Sequence, residues 1–207
     1  MKTRNLFQDQ LHVRNLVCQH MSCTNVNSKK KEFVECESEP ISDLKYCYSQ
    51  LYYLGTPSFT VTTPVMLAPF GITQYKGGGL SKPNKFTLCL QFTDYKTDPD
   101  MKRFYQFIQE CEYRQMELLG LTDQESPLYI SQIKQDPKKQ YDPNLDTRVP
   151  FSYNQFQCDI YADNYDGVCI LDVKRFSKVQ CDIYLDKIWK YNDMYVSKWK
   201  VNMIHLL

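Results

Sequence analysis

Long apolar runs are missing from this 207-residue chain. The longest, Val65 to Phe70, falls far short of the roughly 18 residues that mark a membrane-spanning helix. Arg4, Asp9 and Arg14 interrupt the N-terminal stretch that a secretory leader would keep apolar. An intracellular protein with no membrane segment is the expectation. An excess of one charge is missing too. The 25 Lys and Arg stand against 24 Asp and Glu, a net charge of +1, which excludes a polycation that holds nucleic acid by overall charge. Any basic site must be local. Histidine is scarce, with only His12, His20 and His205. No H-E-x-x-H or G-x-S-x-G motif occurs, and Gly77-Gly78-Gly79 lacks the Gly-Lys-Ser/Thr of a phosphate loop. Cys18 beside His20 is the nearest thing to a nucleophile pair, so a non-enzymatic protein is expected.

Cysteine and tyrosine, by contrast, are plentiful. Nine cysteines, an odd number spread from Cys18 to Cys181, do not make the even, closely spaced set of a disulfide framework and read as reduced thiols. Cys18, His20, Cys23, Cys36 and Cys47 are the one metal-ligating set. Their spacing is looser than the close ligand pairs of tetrahedral zinc, so the reading taken is packing cysteines and no cofactor, with a structural zinc as the alternative. The 16 Tyr matter because tyrosine offers a flat apolar face with a polar tip.

Residues 1–43 show neither period-2 nor period-3.6 apolar patterning and carry a Lys29-Lys30-Lys31 run followed by Glu32, Glu35, Glu37, Glu39 and Asp43. They read as an irregular N-terminal extension, leaving 44–207 as the folded domain. Phe59, Val61, Thr63 and Val65 alternate with polar neighbours as a strand. Gly71 to Lys85 holds four of the seven glycines with Lys76, Lys82 and Lys85 and no acid, a mobile basic loop. Phe86, Leu88, Leu90 and Phe92 then form a second strand, paired with the first as a hairpin. Asp98-Pro99 is a helix start, since Asp accepts from first-turn amides and Pro at the first helical position sacrifices no bond. Apolar positions from Met101 to Leu118 recur every three or four residues and Gly120 supplies the stop, so one amphipathic helix is placed at about 99–119.

The second half is again β. Leu128 to Ile133, Gln155 to Ala162 and a short buried run, Val168 to Leu171, precede Val179 to Leu185, whose apolar and polar residues alternate, and after Tyr191-Asn192-Asp193 comes Met194 to Leu206, a long C-terminal hairpin. The fold class expected is mainly β, an OB-fold-like five-stranded barrel with one helix and the irregular extension.

Thr63-Pro64-Val65-Met66 with Pro69-Phe70-Gly71, the strand Phe86-Thr87-Leu88-Cys89-Leu90-Gln91-Phe92, the helix opening Met101 to Ile108, the segment Ile133 to Pro143, and Ile188-Trp189 with Lys198-Trp199-Lys200-Val201 occur in an order that resembles a family of large nucleocytoplasmic DNA viruses. Its members are regarded as OB-fold single-stranded DNA-binding proteins, distantly similar to the single-stranded DNA-binding protein of T-odd phages. The resemblance covers about residues 57–207. It implies a viral protein of the host cytoplasm or nucleus that coats single-stranded DNA in replication, repair or recombination, with replication proteins as further partners. The phage proteins end in an acidic recruiting tail, whereas this sequence ends Ile204-His205-Leu206-Leu207, so tail-mediated recruitment is not carried over. A non-enzymatic adaptor with a tyrosine-rich protein-binding surface is the alternative. No feature sets an oligomeric state.

Charge is segregated along the chain despite its small total. Lysines gather in 71–85 and 187–200, while 158–172 carries Asp159, Asp163, Asp166 and Asp172 with no cation. Phosphates tracked by cations and bases stacked on aromatic rings, at about 1–3 kcal/mol per base, are the design of sequence-tolerant single-strand binding. Taken without the resemblance, such loops are more often simply solvated. OB-folds bind on strands two and three and on the loops joining strands one to two and four to five. The candidate nucleic-acid-binding residues are therefore Tyr75, Lys76, Lys82 and Lys85; Trp189, Lys190, Tyr191, Lys198 and Lys200; and a segment expected to fold over the groove, Lys134, Lys138, Lys139, Tyr141 and Arg148. Trp199 shares parity with Val201 and Met203 and reads as core, and Tyr105 and Phe107 read as packing groups.

Overall fold

The computed structural model describes residues 12–23, 33–35, 47–75, 85–163 and 165–207. In chain order the strands are β1 Leu16–Cys23, β2 Phe33–Glu35, β3 Cys47–Tyr53, β4 Phe59–Thr62, β5 Met66–Ala68, β6 Ile72–Tyr75 and β7 Lys85–Gln91. The helix α1, Pro99–Leu118, follows. Then come β8 Tyr129–Ile130, β9 Ile133–Lys134, β10 Asn144–Val149, β11 Phe151–Ser152, β12 Gln155–Phe156, β13 Asp159–Ala162, β14 Ser177–Leu185, β15 Lys187–Tyr191, β16 Met194–Ser197 and β17 Trp199–Leu206.

Strands whose alternate residues are apolar must close their buried face on something, and here they close on themselves. β5 pairs with β7, β7 with β10, β10 with β17, β17 with β14, and β14 returns to β4 and β5. The result is a closed, OB-like barrel of five strands in which β10 and β17 run parallel and every other pairing of the ring is antiparallel. Its interior takes Leu88, Leu90, Leu145, Val149, Ile183, Leu185, Trp199 and Val201, all essentially buried. The hairpin of β11 and β12 packs Phe151 and Phe156 on Phe86 with each pair of ring centroids at 4.8 Å.

The helix starts and stops where the sequence places it. The Asp98 side chain accepts from the backbone amides of Asp100 at 2.8 Å and Met101 at 3.0 Å, and Gly120 takes a left-handed φ of +69° just past the end. Met101, Phe104, Ile108 and Cys111 form the buried stripe. Glu112 shares that side. It is buried and accepts from Ser131 Oγ and from the Gln132 amide, both at 2.7 Å, which ties the segment before β9 to the helix. Burial holds its carboxyl above the usual value. The folded chain then keeps this proton more tightly than the unfolded chain, so the group favours folding below its unfolded value and loses that contribution as pH rises through the folded one. Against Glu112→Gln, neutral at every pH, the wild type is expected to be relatively more stable at about pH 4 than at about pH 7; thermal melts showing a constant difference would reject this.

Several expectations are corrected. The described part of 1–43 is not irregular: β1 pairs along its length with β3, from Leu16↔Tyr53 to Ser22↔Cys47, and with β2. The rest of that stretch, 1–11, 24–32 and 36–43, lies outside the described residues. Within 71–85, residues 72–75 are strand β6, hydrogen-bonded to the start of β7. β7 therefore finds its hairpin partner in β6, and touches β5 at the single pair Leu67↔Gln91. The strand expected to run from Phe59 to Val65 breaks after Thr62, because Pro64 has no N–H to give a ladder. Thr63 is drawn instead to β14, its amide on the Cys181 carbonyl at 2.8 Å and its Oγ1 accepting from the Cys181 amide at 3.0 Å. Val168 to Leu171 is not a buried strand, since Asp172 accepts from the Cys169 amide at 2.8 Å and turns the chain into a short 3-10 helix, Ile170–Asp172, with Leu171 exposed.

The long C-terminal hairpin exists, but only its inner half belongs to the barrel. Beyond Leu185 it bends away, and β15 and β16 join a second sheet of order β2-β1-β3-β15-β16-β8. Asp186 marks the bend, its carbonyl accepting from the Leu51 amide at 2.8 Å.

Candidate nucleic-acid interface

Where β7 and β10 pair, their outward residues form rows: Asp146 opposite Cys89, and Arg148 opposite Thr87. The same rows extend to β6, with Thr73 opposite Thr87 and Tyr75 opposite Lys85, and to β17, with Lys200 beside Arg148. One face of the barrel is thus polar and cationic while the opposite parity fills the core. The β15–β16 hairpin stands beside this face and encloses a cleft of about 710 Å³. Of the fourteen nucleic-acid candidates named from the sequence, Tyr75, Lys85, Arg148, Trp189, Lys190, Tyr191 and Lys198 line it.

The cations in it differ in what they can still bind. Lys198 is paired with Asp146 at 3.1 Å, and nearby Lys200 is paired with Asp186 at 2.6 Å. Lys190 is largely buried, with Asp193 Oδ1 at 3.7 Å. Lys85 and Arg148 are exposed and have no carboxylate partner among the described residues, which makes them the groups available to an incoming anion. The aromatic surfaces are Tyr75 and Tyr191, both well exposed, and Trp189, 41% exposed. The Trp189 ring is held by Tyr48 of β3 at a centroid distance of 4.9 Å. Lys187 Nζ lies 4.3 Å from the Tyr48 ring centroid and 5.8 Å from that of Trp189, so the indole is braced from one side by an aromatic and a cation.

Tyr48 is absent from the sequence-derived candidates. It reaches the site through the pairing Trp189↔Tyr48 between β15 and β3, and the only local signal was the tyrosine density after Leu44. The segment Lys134 to Tyr141 does not cover this cleft: Lys139 and Tyr141 line a separate one, Lys138 is exposed, and Lys134 Nζ donates to the Ser131 carbonyl at 2.6 Å. Lys76 and Lys82 lie outside the described residues.

Of the metal-ligating set, Cys18, His20 and Cys47 lie within the described residues. Cys18 and His20 share a face of β1 with the backbone of Cys47 beyond them, opposite Ser22. The Cys18 thiol donates to the Leu118 carbonyl at 3.7 Å and is pushed up to about 11 by burial. His20 Nδ1 lies 2.8 Å from Ser49 Oγ. The Cys23 side chain and all of Cys36 lie outside the described residues, and among those described no group of three potential ligands converges.

No protein-family model matches this sequence, and no curated protein matches it. Among solved structures, a single-stranded DNA-binding protein from bacteriophage Enc34, determined in complex with ssDNA, is similar at a TM-score of 0.42 and 12% identity, over 76% of this chain and 89% of that one.

Proposed function

We propose that this protein binds single-stranded DNA across the outer face of β7 and β10. The observation that carries the reading is the cleft itself: a braced indole, two exposed tyrosines and two cations without a carboxylate partner among the described residues, Lys85 and Arg148, converge on one polar barrel face. Cations meet phosphates and aromatic rings meet bases, neither of which reads a base edge, so binding is sequence-tolerant. With the resemblance described above, the role is that of a viral protein that coats and shields single strands during replication, repair or recombination in the host cytoplasm or nucleus, without turnover and without a cofactor.

A polarisation titration of labelled oligo-dT against a duplex of equal length tests it. The single strand is expected to bind more tightly, and its affinity to fall steeply with salt. Equal or tighter duplex binding overturns the reading; salt-insensitive or absent binding to both favours the adaptor role.

A further inference from the structure

The outer face of β7 continues beyond the cleft. Its outward residues run Lys85, Thr87, Cys89, Gln91; the first two line the cleft already described, and Gln91 lines a second, of about 610 Å³. At about 3.4 Å per residue the two ends stand about 20 Å apart along one strand, with Cys89 and the Asp146–Lys198 pair between them.

The second cleft lies at the root of the long insertion between β7 and β10. One wall carries Tyr95, whose ring rests on Tyr105 of α1 at 4.6 Å, and Tyr105 in turn meets Phe92 edge-on at 5.0 Å. The other carries Tyr141, which is 69% exposed. Lys96 and Lys139 line the cleft and pair with no carboxylate among the described residues. Its acids are already engaged. Asp136 accepts from the Gln140 amide at 2.7 Å and from those of Lys138 and Tyr141 at 3.2 Å, which hold its carboxyl below the usual range. Asp142 accepts from the Asp94 amide at 2.8 Å. The Gln140 side-chain amide, both donor and acceptor, makes no hydrogen bond to the described residues.

We infer that this second cleft is a nucleotide subsite for the same single strand, which runs along the outer face of β7 from Trp189 to Tyr141. A base stacks on Tyr95 and Tyr141, its phosphates lie against Lys96 and Lys139, and the Gln140 amide, donor and acceptor alike, can meet any base edge without selecting one. The inference rests on the single-strand reading, and it makes the occluded length a property of two clefts instead of one.

The test compares oligo-dT of about 4 and about 16 nucleotides on the wild type, Tyr141→Ala, the double variant Lys96→Ala/Lys139→Ala, and Trp189→Ala. For the long oligomer Tyr141→Ala is expected to weaken binding about 5- to 150-fold and the double lysine variant to flatten the salt dependence. The short oligomer, which fills the first cleft alone, should bind both as it binds the wild type. Trp189→Ala should weaken both oligomers. Tyr141→Phe should restore the loss, since it keeps the ring. If both second-cleft variants bind the long oligomer as the wild type does while Trp189→Ala does not, the subsite is overturned and the first cleft stands. If the wild type itself binds neither oligomer, the single-strand reading fails with it.

Discussion

Trp199→Ala is expected to lower the free energy of unfolding by about 3–5 kcal/mol, the range for truncating a buried large aromatic. Trp199 is 1% exposed, the first among the large fully buried side chains, and its backbone stands opposite Thr147 in the parallel pair of β10 and β17. Thr147 spends its hydroxyl on the Leu88 carbonyl at 2.6 Å, so three ring strands are locked around the indole. The cavity left by alanine cannot collapse without opening that lock. Since a domain holds only about 5–15 kcal/mol in total, a loss of this size takes a large share of it. Urea titration should show a lower midpoint with an unchanged slope. A loss below about 1 kcal/mol would mean that the ring does not depend on this side chain for its packing.

For binding, the two kinds of group in the first cleft should separate cleanly. Trp189→Ala removes a stacking surface and should cost about 1–3 kcal/mol of affinity while leaving the salt dependence nearly intact, because no phosphate contact is lost. The double variant Lys85→Ala/Arg148→Ala removes the two exposed cations of the cleft. It should reduce the slope of log affinity against log salt by about 0.7 per contact, about 1.4 in all. Polarisation titrations at three or four salt concentrations distinguish the two signatures. Both side chains of the double variant are exposed, so folding should be untouched. An unchanged slope would place the phosphates elsewhere.

The legible parts of this fold are those set by local chemistry. Asp98-Pro99 fixed the helix start because a carboxylate and an absent N–H act within one turn, and the alternation of Phe86 to Leu90 and of Val179 to Leu185 marks strands with one buried face. β1 was not legible: Cys18, His20 and Met21 are only half-buried, and the strand exists through pairing with β3 across a stretch of intervening chain. The departure of β15 from the barrel is equally non-local. Its trace in the sequence is a slip of parity, in which Ile183 and Leu185 are buried and the next buried residue is Ile188, with Asp186 between. The first cleft was readable where lysine and aromatic residues adjoin in sequence, at Lys190 and Tyr191 for example. The brace of Trp189 by Tyr48 depends on sheet register, which no local pattern carries.

The closed ring also sets a clock. Its seam lies where β14 meets β5 and β4, and there the Thr62 hydroxyl donates to Asp182 at 2.6 Å across 120 residues of chain. On a ribosome adding roughly 5–20 residues per second, that stretch takes on the order of 6–24 s to appear. Until it does, β5 and β10 each lack a ring neighbour and present open edges of the kind that recruit other strands. Pairings so distant are also slow to form once the chain is complete, because loop closure must precede their reward. The half-made protein is therefore most prone to aggregate in the seconds before its final hairpin emerges, and slower translation late in the message lengthens that interval.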